Sequence, residues 1–222
     1  MQEVHKPYEG LFLTIEGGEG SGKTTLVQGV VDALEKRGYT VLRTREPGGT
    51  ALSERLRELV LSPDIDCSIS EKTELFLFLT SRIQHFEEKI LPALRRGEVV
   101  ICERFHDSSI AYQGGARHLG MGYVEELCTL STEGIQPDCT LFLDLDPKVG
   151  RERLETSRGE KIDRLEREPL QFHQEVRQGY LHLADKHHDR ISVLDASLSQ
   201  EEVLKAALSA IESKLLLRPH AT

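Results

Sequence analysis

Apolar residues follow two different spacings along the chain, and segments of the two kinds alternate. Five short apolar runs have the composition of strands, and between them apolar residues recur at helical spacing. The runs are LFLTIE (11–16), YTVLRT (39–44), VVICE (99–103), TLFLDL (140–145) and ISVLDA (191–196). This alternation predicts an α/β fold with three layers, in which a five-stranded, mainly parallel sheet carries helices on both faces.

Two helical segments carry end signals. Gly38 is expected to end the helix that follows the first strand. A long helix is predicted over 70–96, and Ser68 with Glu71 matches a capping box at its start. Leu75, Phe78, Leu79 and Arg82 fall on one face of this helix. That stripe is either core packing that ends in a solvated arginine, or a ring and a guanidinium that hold a base and its phosphate.

Composition limits the classes of function. A chain of 222 residues can bury a full core as one domain over 1–222, with frayed ends at 1–10 and 218–222. A formal net charge of −9 argues against general nucleic-acid binding. The four cysteines form no C-x-x-C pair, which indicates reduced thiols in a cytoplasmic protein. With neither a signal peptide nor an apolar run of about 18 residues, no membrane contact is expected.

The stretch between the first strand and the first helix, GGEGSGKT, matches G-x-x-x-x-G-K-[ST] in the strand–loop–helix context that this motif needs. Backbone N–H groups and the helix N-terminus would cradle a triphosphate, Lys23 would add a cation, and the Thr24 hydroxyl could bind Mg²⁺. The alternative is a glycine-rich turn followed by a chance Lys-Thr pair. The predicted ATP-binding residues are Gly17, Gly18, Glu19, Gly20, Ser21, Gly22, Lys23, Thr24 and Thr25.

Three further polar stretches lie where ligands bind in such folds. REPGGT (45–50) follows the second strand and is either a pre-shaped ligand loop or a plain surface turn. Glu103 and Arg104 end the third strand, where charge is costly unless it serves Mg²⁺, phosphate or a structural ion pair. The charged run 151–167 is either a solvated connection or a mobile lid that delivers an arginine.

Together these stretches closely resemble bacterial thymidylate kinases. The matching segments are IEGGEGSGKTT, TREPGGT, ELFLFLTSRIQH, ERFHDSSIAYQGG, IQPDCTLFLDLDP and RGEKIDRLE. The resemblance covers almost the whole chain. It implies a P-loop NTPase fold with a short mobile lid at about 153–167, Mg²⁺-assisted phosphorylation of dTMP to dTDP by ATP, and usually a homodimer.

The resemblance also implies roles for individual residues. Glu19 matches the acceptor of the dTMP 3′-hydroxyl, Phe78 the ring that stacks on thymine, and Tyr112 the bulk that disfavours a 2′-hydroxyl. The implied dTMP site comprises Glu19, Glu46, Pro47, Arg57, Phe78, Arg82, Arg104, Ser108, Ser109, Tyr112 and Gln113. Within it, Arg57, Arg82 and Arg104 surround the phosphate, while Ser109 and Gln113 contact the base. The implied catalytic residues are Lys23, Glu103, Arg104, Arg153 and Arg158, with Thr24 and Glu103 at Mg²⁺.

One residue of the glycine loop indicates a branch of the family, and two segments differ from the usual pattern of the family. Glycine at position 20 indicates the branch whose catalytic arginine comes from the lid, with Arg158 and Arg153 as candidates and Arg164 behind them. Glu103 replaces the usual aspartate, which leaves open whether it meets Mg²⁺ directly or through water. The segment GGARHLG (114–120) also differs from the usual version.

Two other functions remain open at this stage. A sister kinase for AMP, CMP or UMP would need the same phosphate-binding groups. A P-loop switch that regulates a partner is the second alternative, although the sequence lacks the N-K-x-D guanine motif of GTPases.

Overall fold

The computed structural model describes residues 8–63, 67–158 and 162–216, without the side chains of 157 and 158. Five strands form one sheet in the order β2-β3-β1-β4-β5. They are β1 (Leu11–Gly17), β2 (Val41–Arg45), β3 (Val99–Glu103), β4 (Cys139–Asp144) and β5 (Ile191–Asp195). All four neighbouring pairs are parallel, so the predicted strands and sheet are confirmed.

Helices cover both faces of this sheet. In chain order they are α1 (Lys23–Glu35), α2 (Ala51–Leu61), α3 (Glu71–His85), α4 (Leu91–Arg95), α5 (His106–Ser109), α6 (Met121–Leu130), α7 (Pro147–Arg158), α8 (Leu170–Lys186) and α9 (Gln200–Leu215). One core packs α1 and α9 on the sheet, and α3, α6 and α8 pack on the opposite face. The predicted three-layer α/β fold is therefore confirmed.

The long helix predicted over 70–96 consists of three consecutive helical pieces. A π-helical segment, Phe86–Ile90, joins α3 to α4. The predicted capping box at Ser68 and Glu71 is wrong, because the residue that caps the helix is two positions later in the chain. Ser70 lies directly before the first helical residue, and its hydroxyl accepts a hydrogen bond from the Thr73 N–H at 3.4 Å.

The predicted chain ends are only partly covered by the described residues. Tyr8 is buried with Phe12 and Leu94, and the Gly10 N–H donates to the Leu94 carbonyl at 2.9 Å. The expectation that 1–10 frays is thus wrong for 8–10, because the Tyr8 ring joins the core. Residues 1–7 and 218–222 lie outside the described part of the chain.

The sheet brings three polar segments to one edge. Register pairs Ile15 of β1 with Glu103 of β3, and Arg45 of β2 with the same Glu103. The loop after β1, the turn after β3 and the REPGGT loop therefore meet at the carboxyl ends of adjacent strands, where open α/β sheets bind ligands.

No helix in the described residues is long and apolar enough to cross a membrane. Cys67 is exposed and Cys102, Cys128 and Cys139 are buried, and all four are free thiols.

Candidate nucleotide-binding site

The glycine-rich loop has the backbone geometry of a phosphate cradle. Gly17, Gly20 and Gly22 all have positive φ, with values of 147°, 67° and 92°. Gly22 caps α1, so the N-terminal turn of that helix faces the loop. Unpaired N–H groups and the positive end of the helix dipole together favour a bound anion at this place.

Lys23 is buried inside this loop. Its Nζ donates to the carbonyls of Gly18 at 2.7 Å and Gly17 at 3.2 Å. Burial and the nearby Arg104 lower the pKa of Lys23 to about 8, although Glu19 opposes the shift. The ammonium therefore lies next to the place where a triphosphate would enter.

Thr24 and Glu103 place a hydroxyl and a carboxylate side by side next to the glycine loop. The Thr24 hydroxyl donates to both carboxylate oxygens of Glu103, at 3.0 and 3.1 Å. Hydroxyl and carboxylate oxygens are ligands that Mg²⁺ prefers, and Mg²⁺ usually combines one or two carboxylates with substrate phosphates. These two side chains fit a Mg²⁺–nucleotide complex, and Glu103 does not pair with its neighbour Arg104.

Arg104 is held in an uncommon backbone conformation that aims its side chain at the loop. Its φ of 67° is left-handed, and its N–H donates to the Ile15 carbonyl. The guanidinium bonds to the Glu19 carboxylate and to the Gly17 carbonyl at 3.0 Å. Burial alone would raise the pKa of Glu19, but Arg104 and Lys23 lower it to about 2. A fixed ion pair thus borders the glycine loop.

Arg82 lies in the wall of the same space. Only 2% of this residue is exposed, so the interpretation of a solvated helix end is wrong. Its Nε donates to Glu46 at 2.7 Å, and its Nη2 donates to the Ser109 hydroxyl at 3.0 Å. Burial opposes the charge, but Glu46 raises the pKa of Arg82 above its ordinary value, so the guanidinium stays charged. A charged guanidinium, paired with Glu46, therefore lines the cavity.

Arg57, from α2, is less tightly paired. Its Nη1 donates to the Pro47 carbonyl at 2.9 Å. Burial and the neighbouring Arg45 lower the pKa of Arg57. Asp163 and Glu54 offset only part of this effect, and two neighbouring guanidinium groups favour binding of an anion.

One cavity of about 1040 Å³ joins the glycine loop to the three arginines. Phe78 reaches it from α3, and Tyr112 and Gln113 reach it from the π-helical segment Ile110–Ala116. The predicted residues that line it are Glu19, Gly20, Ser21, Gly22, Lys23, Thr24, Thr25, Glu46, Pro47, Arg57, Phe78, Arg82, Glu103, Arg104, Ser108, Ser109, Tyr112, Gln113 and Arg153. A space of this size and lining has room for two polar ligands end to end.

Four predicted residues stand apart from that set. Gly17 and Gly18 are absent from the cavity lining and contribute carbonyls to Lys23 instead. The side chain of Arg158 lies outside the described residues, as do 159–161 of the predicted lid. Arg164 is held by the Val60 carbonyl at 2.9 Å and by Glu74 at 2.6 Å.

Sequence reasoning missed the buried support beneath Arg104. Glu16 accepts hydrogen bonds from the Phe105 N–H at 2.7 Å, from Ser108 at 2.6 Å and from Tyr180 at 2.9 Å. Burial, and then the charge of Asp107, raise its pKa. The one sequence feature that could have identified Glu16 is its position as a carboxylate at the end of a buried strand, directly before the glycine loop. No sequence feature pointed to Tyr180, which lies in α8.

The departure GGARHLG follows Gln113, which lines the cavity. Arg117 in this segment binds Glu74 through two nitrogens, at 3.2 and 3.3 Å, and binds Glu168 at 2.6 Å. Its guanidinium also lies 4.6 Å from the centre of the Phe172 ring. The segment therefore ties the cavity to the chain that follows the lid.

A parallel sheet, a phosphate cradle after its central strand and an arginine-lined cavity define a P-loop nucleotide-binding protein. Comparison with known families narrows the class, because the family model described as "Thymidylate kinase" matches residues 15–207. The chain belongs to the thymidylate kinase family.

Curated relatives and a solved structure agree with this placement. The thymidylate kinase of Protochlamydia amoebophila is 45% identical over 212 residues, covering 93% of this chain and 94% of its own. That of Bacillus cereus strain Q1 is 43% identical over 208 residues, covering 94% and 100%. The crystal structure of thymidylate kinase from Ehrlichia chaffeensis superposes with a TM-score of 0.73 at 30% identity, covering 91% of this chain and 98% of that one.

Proposed function

We propose that this chain transfers the γ-phosphoryl group of ATP to dTMP, giving ADP and dTDP. The observation that carries this proposal is the single cavity that Lys23 and Thr24 line together with Arg57, Arg82 and Arg104. A kinase for nucleoside monophosphates needs two anionic nucleotides end to end, and this arrangement offers a cationic site for each.

The chemistry needs charge neutralisation and positioning rather than a general base. A phosphate monoester has a second pKa of about 6, so the acceptor is mostly a dianion at neutral pH. Lys23 would offset charge on the donor, and Arg57, Arg82 and Arg104 would do so on the acceptor. Thr24 and Glu103 would hold the Mg²⁺ that accompanies ATP, and this ion would supply further charge neutralisation at the donor phosphates.

The dTMP end has a ring and polar groups suited to a base. Phe78 is half-buried and offers a face for stacking. Ser109 and Gln113 supply hydrogen-bonding groups near it, and Tyr112 lies under Arg104, 5.2 Å from the guanidinium carbon to the ring centre. Glu19 would accept the 3′-hydroxyl, in exchange for part of its contact with Arg104.

The backbone around Gly20 favours a catalytic arginine from the lid over one from the glycine loop. A Cβ at position 20 would lie 2.1 Å from the Gly150 carbonyl oxygen of α7, so only glycine fits there. Arg153, on the same helix, lines the cavity, and its guanidinium donates to the Ala196 carbonyl at 3.2 Å. We assign the catalytic arginine to α7 and the lid, with Arg158 first and Arg153 second. Closure of the lid would also exclude water and suppress ATP hydrolysis.

The test is a coupled ADP-release assay on the full chain with ATP and Mg²⁺. Turnover is measured with dTMP, dUMP, dCMP, dGMP, AMP and UMP. We expect the highest kcat/KM with dTMP. A preference for AMP, CMP or UMP would make the chain a sister kinase, and slow ATP hydrolysis unaffected by any monophosphate would make it a P-loop switch.

We also propose that two copies associate through α2 and α3. Leu52 and Leu59 on α2, and Phe76 and Ile83 on α3, are spaced seven residues apart and are 39–49% exposed. The two helices pack side by side, so these four side chains form an exposed apolar face. Sedimentation should report a dimer that Phe76→Glu dissociates, whereas Leu216→Glu, at an 80% exposed site elsewhere, should leave it intact.

We place the protein in the cytoplasm, in keeping with its four free thiols. The substrates dTMP and ATP are also small molecules of that compartment, and neither a nucleic acid nor a membrane is needed for the reaction.

A further inference from the structure

A buried carboxylate, Glu74, contacts Gln113, which lines the cavity. It precedes Phe78 by one turn of α3 and is 1% exposed. Its Oε1 accepts from the Gln113 amide nitrogen at 2.9 Å, and its Oε2 accepts from Arg164 at 2.6 Å and Arg117 at 3.2 Å. Glu74 is therefore fully hydrogen-bonded and fixed in position.

The charge state of Glu74 makes its contact with Gln113 directional. Burial would raise its pKa, but the hydrogen bonds and charges of Gln113, Arg117 and Arg164 lower it below its ordinary value. An ionised carboxylate only accepts hydrogen bonds, so the Gln113 amide must present its nitrogen to Glu74. A flipped amide would set its oxygen against a carboxylate and lose a charge-assisted hydrogen bond.

This orientation leaves Gln113 with a defined face for a ligand. Within the described part of the chain, no group donates to its oxygen Oε1, and the residue lines the cavity. The ligand therefore meets an acceptor, Oε1, beside the second hydrogen of the amide nitrogen. Thymine and uracil present the complement, a donor N3–H beside the acceptor O4. Cytosine presents the reverse, an acceptor N3 beside a donor amino group, and would need the flipped amide.

We propose that Glu74 is a positioning residue that sets pyrimidine preference by locking the Gln113 amide in the orientation that accepts N3–H. Glu74 does not touch the nucleotide; it acts through Gln113. The inference rests on the proposed dTMP site. It predicts that preference for N3–H bases over cytosine depends on the carboxylate, whereas recognition of the C5 methyl group does not.

The test is Glu74→Gln, which keeps the shape of the side chain but lets position 74 donate as well as accept. The ratio of kcat/KM for dTMP over dCMP should fall by roughly tenfold to a hundredfold, the loss expected for one hydrogen bond to a charged group. The ratio for dTMP over dUMP should stay unchanged, because both bases carry N3–H and O4. A general structural defect would lower all three rates together and leave both ratios as they were.

Glu168→Gln is the matched control. Glu168 accepts from the same Arg117 at 2.6 Å but makes no described contact with Gln113. It should keep both ratios at their wild-type values. If it lowered the dTMP over dCMP ratio as much as Glu74→Gln, the effect would belong to the arginine network and the inference would be overturned.

A double-mutant cycle with Gln113→Ala covers the case in which Glu74→Gln disturbs the fold. Without the amide at position 113, the Glu74 carboxylate has nothing to orient, so adding Glu74→Gln to Gln113→Ala should leave the dTMP over dCMP ratio at the value of Gln113→Ala alone. A further fall of this ratio in the double variant, or an unchanged ratio in the single variant Glu74→Gln of an active kinase, overturns the role of Glu74. A wild-type chain that phosphorylates no pyrimidine monophosphate overturns the proposed function itself.

Discussion

Gly20 is the residue of the glycine loop at which a side chain would make the closest contact with the rest of the protein. Its φ of 67° is left-handed, and a Cβ there would lie 2.1 Å from the Gly150 oxygen and 2.7 Å from the carbonyl carbon. Both obstacles are backbone atoms of α7, which no rotamer change can move. Gly20→Ala must therefore displace either the loop or the helix that carries the lid.

The expected size of the effect has two parts. An L-residue in the left-handed region costs about 1–2 kcal/mol, and overpacking of this kind costs about 1–3 kcal/mol. Their combination, about 3 kcal/mol, corresponds to a fall in Tm of roughly 10 °C for a chain of this length. Loop and helix must also separate by roughly 1 Å, a misplacement that can reduce a rate about a hundredfold.

The assay compares Gly20→Ala with Gly18→Ala, from the same loop. A Cβ at position 18 would meet no atom within 4 Å, and its φ is not left-handed. We expect Gly20→Ala to lose about a hundredfold in kcat/KM for ATP and Gly18→Ala to lose less than tenfold. If the two variants matched in Tm and in kcat/KM, the close approach of loop and helix would not constrain the site, and the assignment of the catalytic arginine to the lid would lose its structural support.

Three further predictions each concern one residue. Phe78→Ala should raise the KM for dTMP by the equivalent of about 1–3 kcal/mol, with kcat little changed; an unaltered KM would remove Phe78 from the base site. Arg158→Ala should lower kcat by orders of magnitude at a nearly constant dTMP KM, and an unchanged kcat would refute its catalytic role. Glu46→Gln should lower the free energy of unfolding by about 3 kcal/mol because it uncouples buried Arg82, whereas Glu212→Gln, in an exposed pair, should cost less than about 0.5 kcal/mol. Burial raises the pKa of Glu46, but Arg82 lowers it overall, so the pKa in the folded protein lies below that in the unfolded chain. The ionised Glu46 carboxylate therefore stabilises the folded protein above the unfolded pKa, and this contribution is lost in acid. In denaturant unfolding, the difference in stability between the wild type and Glu46→Gln should shrink below about pH 4.

The sheet and its helices were predictable because their signals are local. Each strand is a short apolar run, and buried parallel strands need little else to be recognised. Gly38 ends α1 as expected, with a φ of 88° and an N–H that donates to the Glu35 carbonyl at 2.9 Å. The cap of α3 was missed because Ser68 and Ser70 offer the same side chain, and only the backbone path decides which hydroxyl reaches a free N–H.

The partners of the charged side chains were not predictable, because they lie far apart in the chain. Arg104 and Glu19 are 85 positions apart, and Glu74 and Arg164 are 90 apart. The sequence identified Arg104 by its place at a strand end, but the turn that sets its left-handed backbone depends on buried Glu16. Glu74 had no signal at all, since a glutamate in the first turn of a helix is usually a solvated dipole partner.

These pairings explain how the site can concentrate positive charge before any nucleotide arrives. Three guanidiniums around one cavity repel each other, and that repulsion would destabilise the fold unless nearby carboxylates offset it. Glu46 offsets the charge of Arg82 within the protein interior, where both side chains are buried. Glu19 offsets the charge of Arg104 at the edge of the glycine loop, and its side chain is 22% exposed. An incoming phosphate can replace Glu19 at Arg104 far more easily than it can replace Glu46 at Arg82. We therefore expect Arg82 to keep its contacts within the protein, and Arg104 to be the arginine whose pairing changes when a nucleotide binds.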